Sequence, residues 1–296
     1  MTKTEPPLFQ RAAIIGLGLM GGSLGLALRA TGATAHVIGY DAGPQVAAEA
    51  QSSGAVDEAA PTIAACVAGA DLVVLATPVM AMRAILAEAA PVMLPGALVT
   101  DLGSTKAAVM AWAEASLPSS AGFIGGHPMA GSERSGIAAA SAALFQGAVW
   151  CLTPGATADA NARERLRAVV RRLGARPLEV EAARHDAAVA RVSHLPLVAA
   201  TALVLAASAG PEWDFAGALA AGGFRDATRI ASGNPEMARD ICLTNAVAIL
   251  SALDDYIATL GNLREQIAAG DSAVIARFAE AAALRDGWLR KHQGRP

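Results

Sequence analysis

Apolar and polar positions follow two different periods along the first 180 residues of the chain. Short apolar, β-rich runs begin at positions 12, 35, 71, 96, 122 and 148, and a last short run ends near residue 180. The segments between them repeat apolar residues at helical spacing, as in MRAILAEAAPVM and STKAAVMAWAEASL. Because several of the runs are apolar at every position, they predict strands of a parallel sheet that helices cover on both faces.

The pattern changes at residue 181. Alanine-rich segments of helical period follow, broken at 210–211, 222–223 and 233–235 by glycine, proline and asparagine, and no convincing strand remains. We therefore predict an α/β Rossmann-type dinucleotide-binding domain at residues 10–180, followed by an all-α dimerisation domain at residues 181–296. The second set of helices is so apolar that a monomer would leave much of it uncovered, which favours a homodimer through this domain over a thick helical core.

Composition and charge narrow the class of protein. Hydrophobic residues make up 54% of the 296 residues and charged residues 17%, which excludes a disordered chain. The net charge is -3 and no Lys/Arg-rich run occurs, so no nucleic-acid partner is expected. The three widely spaced cysteines match neither a disulfide framework nor a metal site. The start MTKTEPPLFQ lacks the pattern of a secretory signal, and we expect a cytoplasmic protein.

One segment raises the alternative of a membrane span. The run LPLVAATALVLAASAG begins at Leu195, but its 16 residues fall short of the ~20 that a bilayer crossing requires. A helix buried in a domain core or a subunit interface is the better interpretation, so no membrane partner is predicted.

A glycine motif predicts a dinucleotide site near the start of the chain. Gly16, Gly18 and Gly21 form GxGxxG between a predicted strand and a predicted helix, the context in which this motif binds pyrophosphate. The helix N-terminus would offer free N–H groups to the phosphates. Asp41, at the end of the next strand, suits the ribose hydroxyls, and residues 42–46 contain no arginine or lysine for a 2′-phosphate. NAD is favoured over NADP; an FAD site or a glycine turn without a ligand are the alternatives.

Candidate catalytic residues follow two later strands, where open α/β sheets bind their ligands. DLGSTK supplies Asp101, Ser104 and Lys106, and GHPMAGSE supplies His127 and Glu133. A histidine can take up a hydroxyl proton near neutral pH, so His127 is the predicted base of a hydride-transfer reaction. We expect the glycines beside it to give substrate and cofactor access and Pro128 to stiffen the loop; a surface histidine without a role is the alternative.

The helical half contributes a second set of candidates. His194 lies in RVSHLP at the start of the most apolar helix, where it lines a pocket or, alternatively, serves as a buried capping residue. Arg225 and Arg229 are four residues apart and are predicted to share one helical face. An arginine beside a cleft can grip a carboxylate, although a solvated helix face explains either arginine alone nearly as well.

These segments together resemble the prephenate/arogenate (cyclohexadienyl) dehydrogenases of tyrosine biosynthesis. The matching motifs are GLGLMGGSLGLAL, DLVVLATPV, DLGSTK, GGHPMAGSE, VSHLP and GGFRDATRIASGNPE, in family order from about residue 12 to 240. The resemblance implies an NAD(P)-dependent oxidative decarboxylation, and this chemistry needs no metal. It implies that His127 accepts the ring-hydroxyl proton, Ser104 positions histidine and cofactor, Arg229 grips a carboxylate, and His194 lines the pocket. The cofactor-binding residues expected on this basis are Gly16, Gly18, Leu19, Met20, Gly21, Asp41, Thr77, Pro78 and Ser104.

Two positions depart from the family pattern. Many members that prefer prephenate have histidine where this chain has Leu197, and tryptophan where it has Ala238. Both departures resemble those of some arogenate-using relatives, so we expect arogenate to be accepted.

Two other functions remain as alternatives. A β-hydroxyacid dehydrogenase shares the GLGxMG opening but relies on a lysine of its helical domain, and residues 181–290 contain no lysine. A non-catalytic NAD-sensing regulator would explain the glycines and apolar helices, but not the expected convergence of His127, Ser104 and Arg229 on one cleft.

Overall fold

The structure, a computed structural model, describes residues 5–131, 134–270 and 272–292. The strands of these residues are β1 (Phe9–Ile15), β2 (Thr34–Tyr40), β3 (Glu58–Ala59), β4 (Leu72–Leu75), β5 (Leu98–Asp101), β6 (Gly122–Pro128), β7 (Val149–Pro154) and β8 (Arg176–Glu179). The helices of the first half are α1 (Leu19–Thr31), α2 (Pro44–Ser52), α3 (Ile63–Val67), α4 (Val79–Ala89), α5 (Ala107–Ser116) and α6 (Ala160–Arg172).

The second half is helical throughout its described part. Its helices are α7 (Ala182–Val189), α8 (Leu195–Ser208), α9 (Trp213–Leu219), α10 (Gly222–Thr228), α11 (Pro235–Thr244), α12 (Ala246–Ala268) and α13 (Val274–His292). A π-helical turn, Ala190–His194, joins α7 to α8. Short 3-10 turns lie at Ala90–Val92, Ile137–Ala139 and Arg229–Ser232. The prediction of a Rossmann-type α/β domain followed by an all-α domain is confirmed.

The strands form one sheet in the order β3-β2-β1-β4-β5-β6-β7-β8. All neighbours pair in parallel except β6 and β7, which run antiparallel. The sheet is therefore mostly parallel, and it departs from the predicted parallel pairing at this one pair. A parallel connection needs a crossover of a dozen or more residues, usually a helix. The described part of the connection between β6 and β7 contains only a 3-10 turn at Ile137–Ala139. The sequence pattern also missed β3, which is only two residues long.

Alternating residues of the central strands build two cores, one on each face of the sheet. In β4, Leu72 and Val74 belong to one core, whereas Val73 and Leu75 belong to the other. Helices α1, α2 and α6 cover the first face, and α3, α4 and α5 cover the second. Two-sided burial explains why these strands are apolar at every position.

The helical half has a much smaller core. Its buried cluster consists of Ala190, Ile241 and Ile249, and all but five of the exposed large hydrophobic side chains in the described residues lie beyond residue 180. Two helical stretches, Ala182–Ser208 and Ala246–Ala268, are long and apolar enough to span a membrane, with mean hydropathies of 1.7 and 1.2. Length and composition are weak evidence for a span, because core helices pass the same criteria.

Two carboxylates of the helical half cap helices of the nucleotide-binding half. Asp240 of α11 accepts a 3.0 Å hydrogen bond from the backbone N–H of Met80, in the first turn of α4. Asp186 of α7 accepts hydrogen bonds from the N–H groups of Lys106 and Ala107, where α5 begins, at 2.8 and 2.9 Å. Both carboxylates are buried and satisfy N–H groups that have no partner within their own helix. The halves are therefore joined close to the ends of β4 and β5.

Candidate active site

The glycine-rich turn between β1 and α1 combines two tight contacts with one open position. Gly16 has a φ of +93°, and a Cβ there would lie 2.7 Å from the carbonyl oxygen of Ala76. A Cβ on Gly21 would lie 1.8 Å from the carbonyl oxygen of Gly16, so only glycine lets α1 approach β1 this closely. Around Gly18, by contrast, a Cβ would meet no atom within 4 Å. The protein leaves this space open at the N-terminus of α1, where the motif would admit a pyrophosphate.

The other residues predicted to bind the cofactor surround this turn. Leu19 and Met20 form the first turn of α1. Asp41 follows β2 and accepts hydrogen bonds of 2.8 Å from the N–H groups of Leu17 and Gly43, which ties the glycine turn to the end of β2. Thr77 and Pro78 connect β4 to α4, and the buried Thr77 hydroxyl has no hydrogen-bond partner within the described residues. This set fits a dinucleotide.

His127 is a strand residue, and its ring is buried. It is the sixth residue of β6 and pairs with Cys151 of β7, so the expectation of an accessible loop histidine was wrong. The neighbouring glycines serve packing rather than access, because a Cβ on Gly126 would lie 2.3 Å from the carbonyl oxygen of Asp101. Burial, followed by the nearby charge of Lys106, lowers the pKa of His127 well below its usual value. The ring is therefore neutral at physiological pH.

A buried hydrogen-bond chain leads from His127 into the helical half. The Nδ1 atom of His127 lies 2.9 Å from Nε2 of His185, and Nδ1 of His185 lies 2.8 Å from Oδ1 of Asp186. Burial opposes ionisation of Asp186, but the hydrogen bonds from His185, Ala107 and Lys106 outweigh it and lower the pKa of the carboxyl. Asp186 is therefore an anion that only accepts hydrogen bonds.

Asn245 links His194 to this series of buried hydrogen bonds. The side-chain Nδ2 of Asn245 donates to the backbone carbonyl of Asp186 at 2.8 Å and lies 3.2 Å from Nδ1 of His194. Since Nδ2 can only donate, Nδ1 of His194 accepts and the neutral ring carries its proton on Nε2. That Nε2 atom is buried without a hydrogen-bond partner in the described part of the chain. Burial lowers the pKa of His194 to about 4.

Lys106 and Asp101 form a fully buried ion pair beneath His127. Asp101 also accepts hydrogen bonds from the N–H groups of Gly103 and Gly126, at 2.8 and 2.9 Å. The pair thus connects the turn after β5 to the residue that precedes His127. Lys106, which is wholly inaccessible to solvent, has a structural position rather than one in contact with a substrate.

The remaining predicted residues have mixed placements. Ser104 is half-buried in the turn after β5, and its hydroxyl makes no hydrogen bond within the described residues. Arg225 is exposed in α10 and pairs with the adjacent Asp226. Arg229 is also exposed but opens the 3-10 turn after α10, so the two arginines do not share one helix as predicted. That turn packs against α8, which begins directly after His194. Glu133 lies outside the described residues.

The sequence reasoning missed His185, Asp186 and Asn245. His185 and Asp186 are consecutive polar residues that are buried in the first two turns of α7, yet ARHDAAV is typical of a solvated amphipathic helix. The π-helical turn at Ala190–His194 adds one residue to the helical path before His194, and such turns are frequent at functional sites. The contact between His127 and His185 is not visible in a local pattern, because the two residues are 58 positions apart.

Comparison with protein families matches both halves of the chain. The prephenate dehydrogenase nucleotide-binding domain matches residues 24–179, and the prephenate dehydrogenase dimerisation domain matches residues 181–280.

Individual relatives match over nearly the full chain. A prephenate dehydrogenase of Bacillus subtilis is 37% identical over 95% of this chain and 76% of its own length. A cyclohexadienyl dehydrogenase of Zymomonas mobilis is 35% identical over 98% of this chain and 99% of its own. Among solved structures, the prephenate dehydrogenase of Aquifex aeolicus in complex with hydroxyphenyl propionate and NAD+ superposes with a TM-score of 0.87 and 32% identity, over 94% of this chain and 98% of that one.

Proposed function

The chain belongs to the prephenate dehydrogenase family, and we propose that His127 is the base of its reaction, with Nε2 as the atom that accepts the proton. Membership shows an oxidoreductase of the prephenate and cyclohexadienyl dehydrogenase class with a nucleotide-binding domain. One observation carries the assignment of the base. Nδ1 of His127 is hydrogen-bonded to His185, and burial keeps the ring neutral, which leaves one nitrogen available.

In the proposed reaction, the protein has to align the reactants and accept one proton. The bound nicotinamide ring supplies the hydride acceptor. His127 takes the proton of the ring hydroxyl while the ring carboxylate leaves as carbon dioxide, and aromatisation makes the reaction strongly downhill. Positioning of the reactants therefore provides much of the acceleration.

Three further residues are proposed to hold the substrate and orient the site. Ser104 lies in the turn after β5, and β5 pairs with the strand that carries His127. The Ser104 hydroxyl is therefore proposed to donate a hydrogen bond near the reacting hydroxyl of the substrate. The unpartnered Nε2–H of His194 is a buried donor that a substrate oxygen would satisfy. Arg229, on the turn that packs against α8, is proposed to grip a substrate carboxylate, and Arg225 to contribute charge at the same surface.

We propose NAD rather than NADP as the physiological cofactor. Asp41 stands at the end of β2, and its carboxylate would repel a 2′-phosphate. Residues 42–46 offer no positive side chain to offset that repulsion. The two cofactors compared at equal concentration should give a kcat/KM ratio in favour of NAD by at least about 10-fold.

Substrate preference rests on two positions. Leu197 packs against the small buried cluster of the helical half, and Ala238 is half-buried in α11. Neither offers the ring or the charge that many prephenate-preferring members carry there, so we propose that arogenate is accepted. Turnover of prephenate without any rate on arogenate would contradict this proposal.

A homodimer through the helical half is the proposed assembly. The family match at residues 181–280 is to a dimerisation domain, and the exposed apolar side chains of α12 recur along one helix, at Val247, Leu250, Ile257, Leu260 and Ile267. We propose that a second copy of the chain covers them, rather than lipid or nucleic acid.

The decisive experiment is NADH formation by the wild-type protein and by His127→Asn, with prephenate and arogenate in parallel. The variant should lose about 10²- to 10⁴-fold in kcat and keep its affinity for NAD, measured by calorimetry. A variant that turns over at the wild-type rate would remove His127 from the role of base. A wild-type protein that binds NAD but oxidises neither compound would favour an NAD-sensing regulator instead.

A further inference from the structure

His185 and Asp186 lie behind His127, on the side opposite the nitrogen proposed to accept the proton. The three side chains are buried, and their two hydrogen bonds measure 2.9 and 2.8 Å. The rings of His127 and His185 meet edge to face, with an interplanar angle of 68°. His185 and Asp186 belong to α7 of the helical half, whereas His127 belongs to β6 of the sheet. The base is thus held by a group from the other half of the chain.

The positions of the protons along this chain follow from what each atom can do. The Asp186 carboxylate only accepts, so Nδ1 of His185 carries a hydrogen and donates it. In the arrangement with one proton on each ring, Nε2 of His185 presents a lone pair and Nδ1 of His127 donates to it. The remaining nitrogen of His127, Nε2, is left with its lone pair. The reverse arrangement would set the lone pair of His185 Nδ1 against a carboxylate oxygen at 2.8 Å.

The carboxylate itself is fixed independently of the histidines. Its Oδ1 accepts from the N–H of Lys106 and its Oδ2 from the N–H of Ala107, at the positive end of α5. Asp186 therefore cannot rotate away from His185 without losing two buried hydrogen bonds. Because this carboxylate is held in place and only accepts, Nδ1 of His185 is the donor in the hydrogen bond between them.

We propose that His185 and Asp186 are positioning residues that hold His127 in the tautomer with a free Nε2, and that they stabilise the imidazolium formed when His127 takes the substrate proton. The proposal rests on the assignment of His127 as the base. In that step the O–H bond of the substrate breaks, its electron pair stays on oxygen, and the proton binds Nε2 of His127. The Nδ1–H bond of His127 stays intact and donates to His185 throughout.

The groups around His127 act in opposite directions. Burial and the charge of Lys106, at the start of α5, oppose a positive charge on His127, and a proton added to His185 or His194 would oppose it too. The anion of Asp186, which accepts a hydrogen bond from His185, acts in the opposite direction. Asp101 of β5 pairs with Lys106 and reduces its influence. Without the Asp186–His185 pair, the buried imidazolium would lose the carboxylate on its Nδ1 side, and Asp101 would remain engaged by Lys106.

The first test is nitrogen NMR of the wild-type protein labelled with ¹⁵N-histidine. The sequence has only five histidines, so His127→Asn identifies the His127 signals by their loss. We expect an unprotonated Nε2 and a protonated Nδ1 for His127, and a protonated Nδ1 for His185. A protonated Nε2 on neutral His127, as a cationic His185 would impose, would overturn the proposal. This spectrum stands whether or not His127→Asn retains activity, so it is separate from the test of the base.

The second test compares two replacements of His185. His185→Leu removes the acceptor for His127 Nδ1–H and should lower kcat about 10²-fold with KM values changed less than about 3-fold. His185→Gln keeps an acceptor oxygen and should recover part of that loss without restoring the wild-type rate. The matched control is His36→Gln. His36 lies near the start of β2, beside Asp57 and Glu58, and its replacement should leave the activity unchanged. Equal activity of the Leu variant and the wild type, or a change confined to KM, would overturn the proposal; if the Leu variant does not fold, the NMR result and the Gln variant decide it.

Discussion

In the nucleotide-binding half, each central strand contributes side chains to two buried cores, whereas the described residues of the helical half share one cluster built on Ala190, Ile241 and Ile249. Both halves are rich in apolar residues, so composition does not distinguish them. The difference lies in how completely each half buries its apolar side chains. A sheet covered on both faces completes its own core, whereas α12 of the helical half leaves large apolar side chains exposed along its length. An exposed apolar face of this extent points to a partner surface.

Adding one methyl group tests how tightly the first half is closed. Gly21→Ala should destabilise the fold by several kcal/mol, because its Cβ would come 1.8 Å from the carbonyl oxygen of Gly16 and force α1 away from β1. Urea unfolding monitored by circular dichroism measures the loss.

Gly18→Ala is the matched control for that change. Its Cβ meets no protein atom, so the unfolding midpoint should stay close to the wild-type value while the KM for NAD rises. Equal destabilisation by the two variants would show that the turn is less tightly packed than the structure indicates.

A charge on the exposed apolar face tests the second half. Leu250→Asp in α12 should raise the dimer dissociation constant by about 100-fold, equivalent to about 3 kcal/mol, because the carboxylate would be buried against the second copy. Sedimentation velocity over a concentration series measures it. Leu178→Asp in β8 changes a similarly exposed leucine of the other half and should leave the dimer intact. A similar loss with both variants would place the interface elsewhere.

Acidification should weaken the contact between the halves, where the buried histidines lie. His194 has a pKa of about 4 in the folded chain and 6.5 when exposed, so the unfolded chain binds the extra proton between these values. Stability therefore falls as the pH drops from about 6.5 to 4, by up to about 3 kcal/mol for this residue, and His127 acts in the same direction.

Urea midpoints at fixed protein concentration across this pH range measure the effect. His194→Gln should flatten the dependence in part, because His127 remains. A wild-type midpoint that is constant between pH 6.5 and 4 would contradict the burial of these rings.

The smallest expected effect concerns the cap that Asp240 places on α4. Asp240→Ala should destabilise the chain by about 1–2 kcal/mol, since the N–H of Met80 would lose its acceptor. Asp226→Ala, an exposed carboxylate on α10, is the control and should stay within about 0.5 kcal/mol of the wild type. An unchanged midpoint for Asp240→Ala would mean that water replaces the cap and that α4 is held by packing alone.

The sequence predicted those features that depend on neighbouring residues. The glycine motif, the strand that ends in Asp41 and the change of period at residue 181 are local patterns with a direct physical reading. The strand reversal at β7 was missed because the pattern within a strand does not encode its direction. His185, Asp186 and Asn245 were missed because their roles depend on contacts between distant segments, and Gly126 was misread because its function is a close approach to Asp101.

The shared carboxylate of Asp186 has a consequence for how this architecture can change by recombination. A nucleotide-binding domain is a module that evolution can pair with different second domains, provided that the new partner covers the exposed end of the sheet. Here the partner must also bring an anion to the start of α5 and a histidine to the back of His127. A replacement domain that packed well but lacked these two groups would yield a protein that binds nucleotide, while the proton of His127 would no longer be held on Nδ1. The two halves are therefore expected to be inherited together.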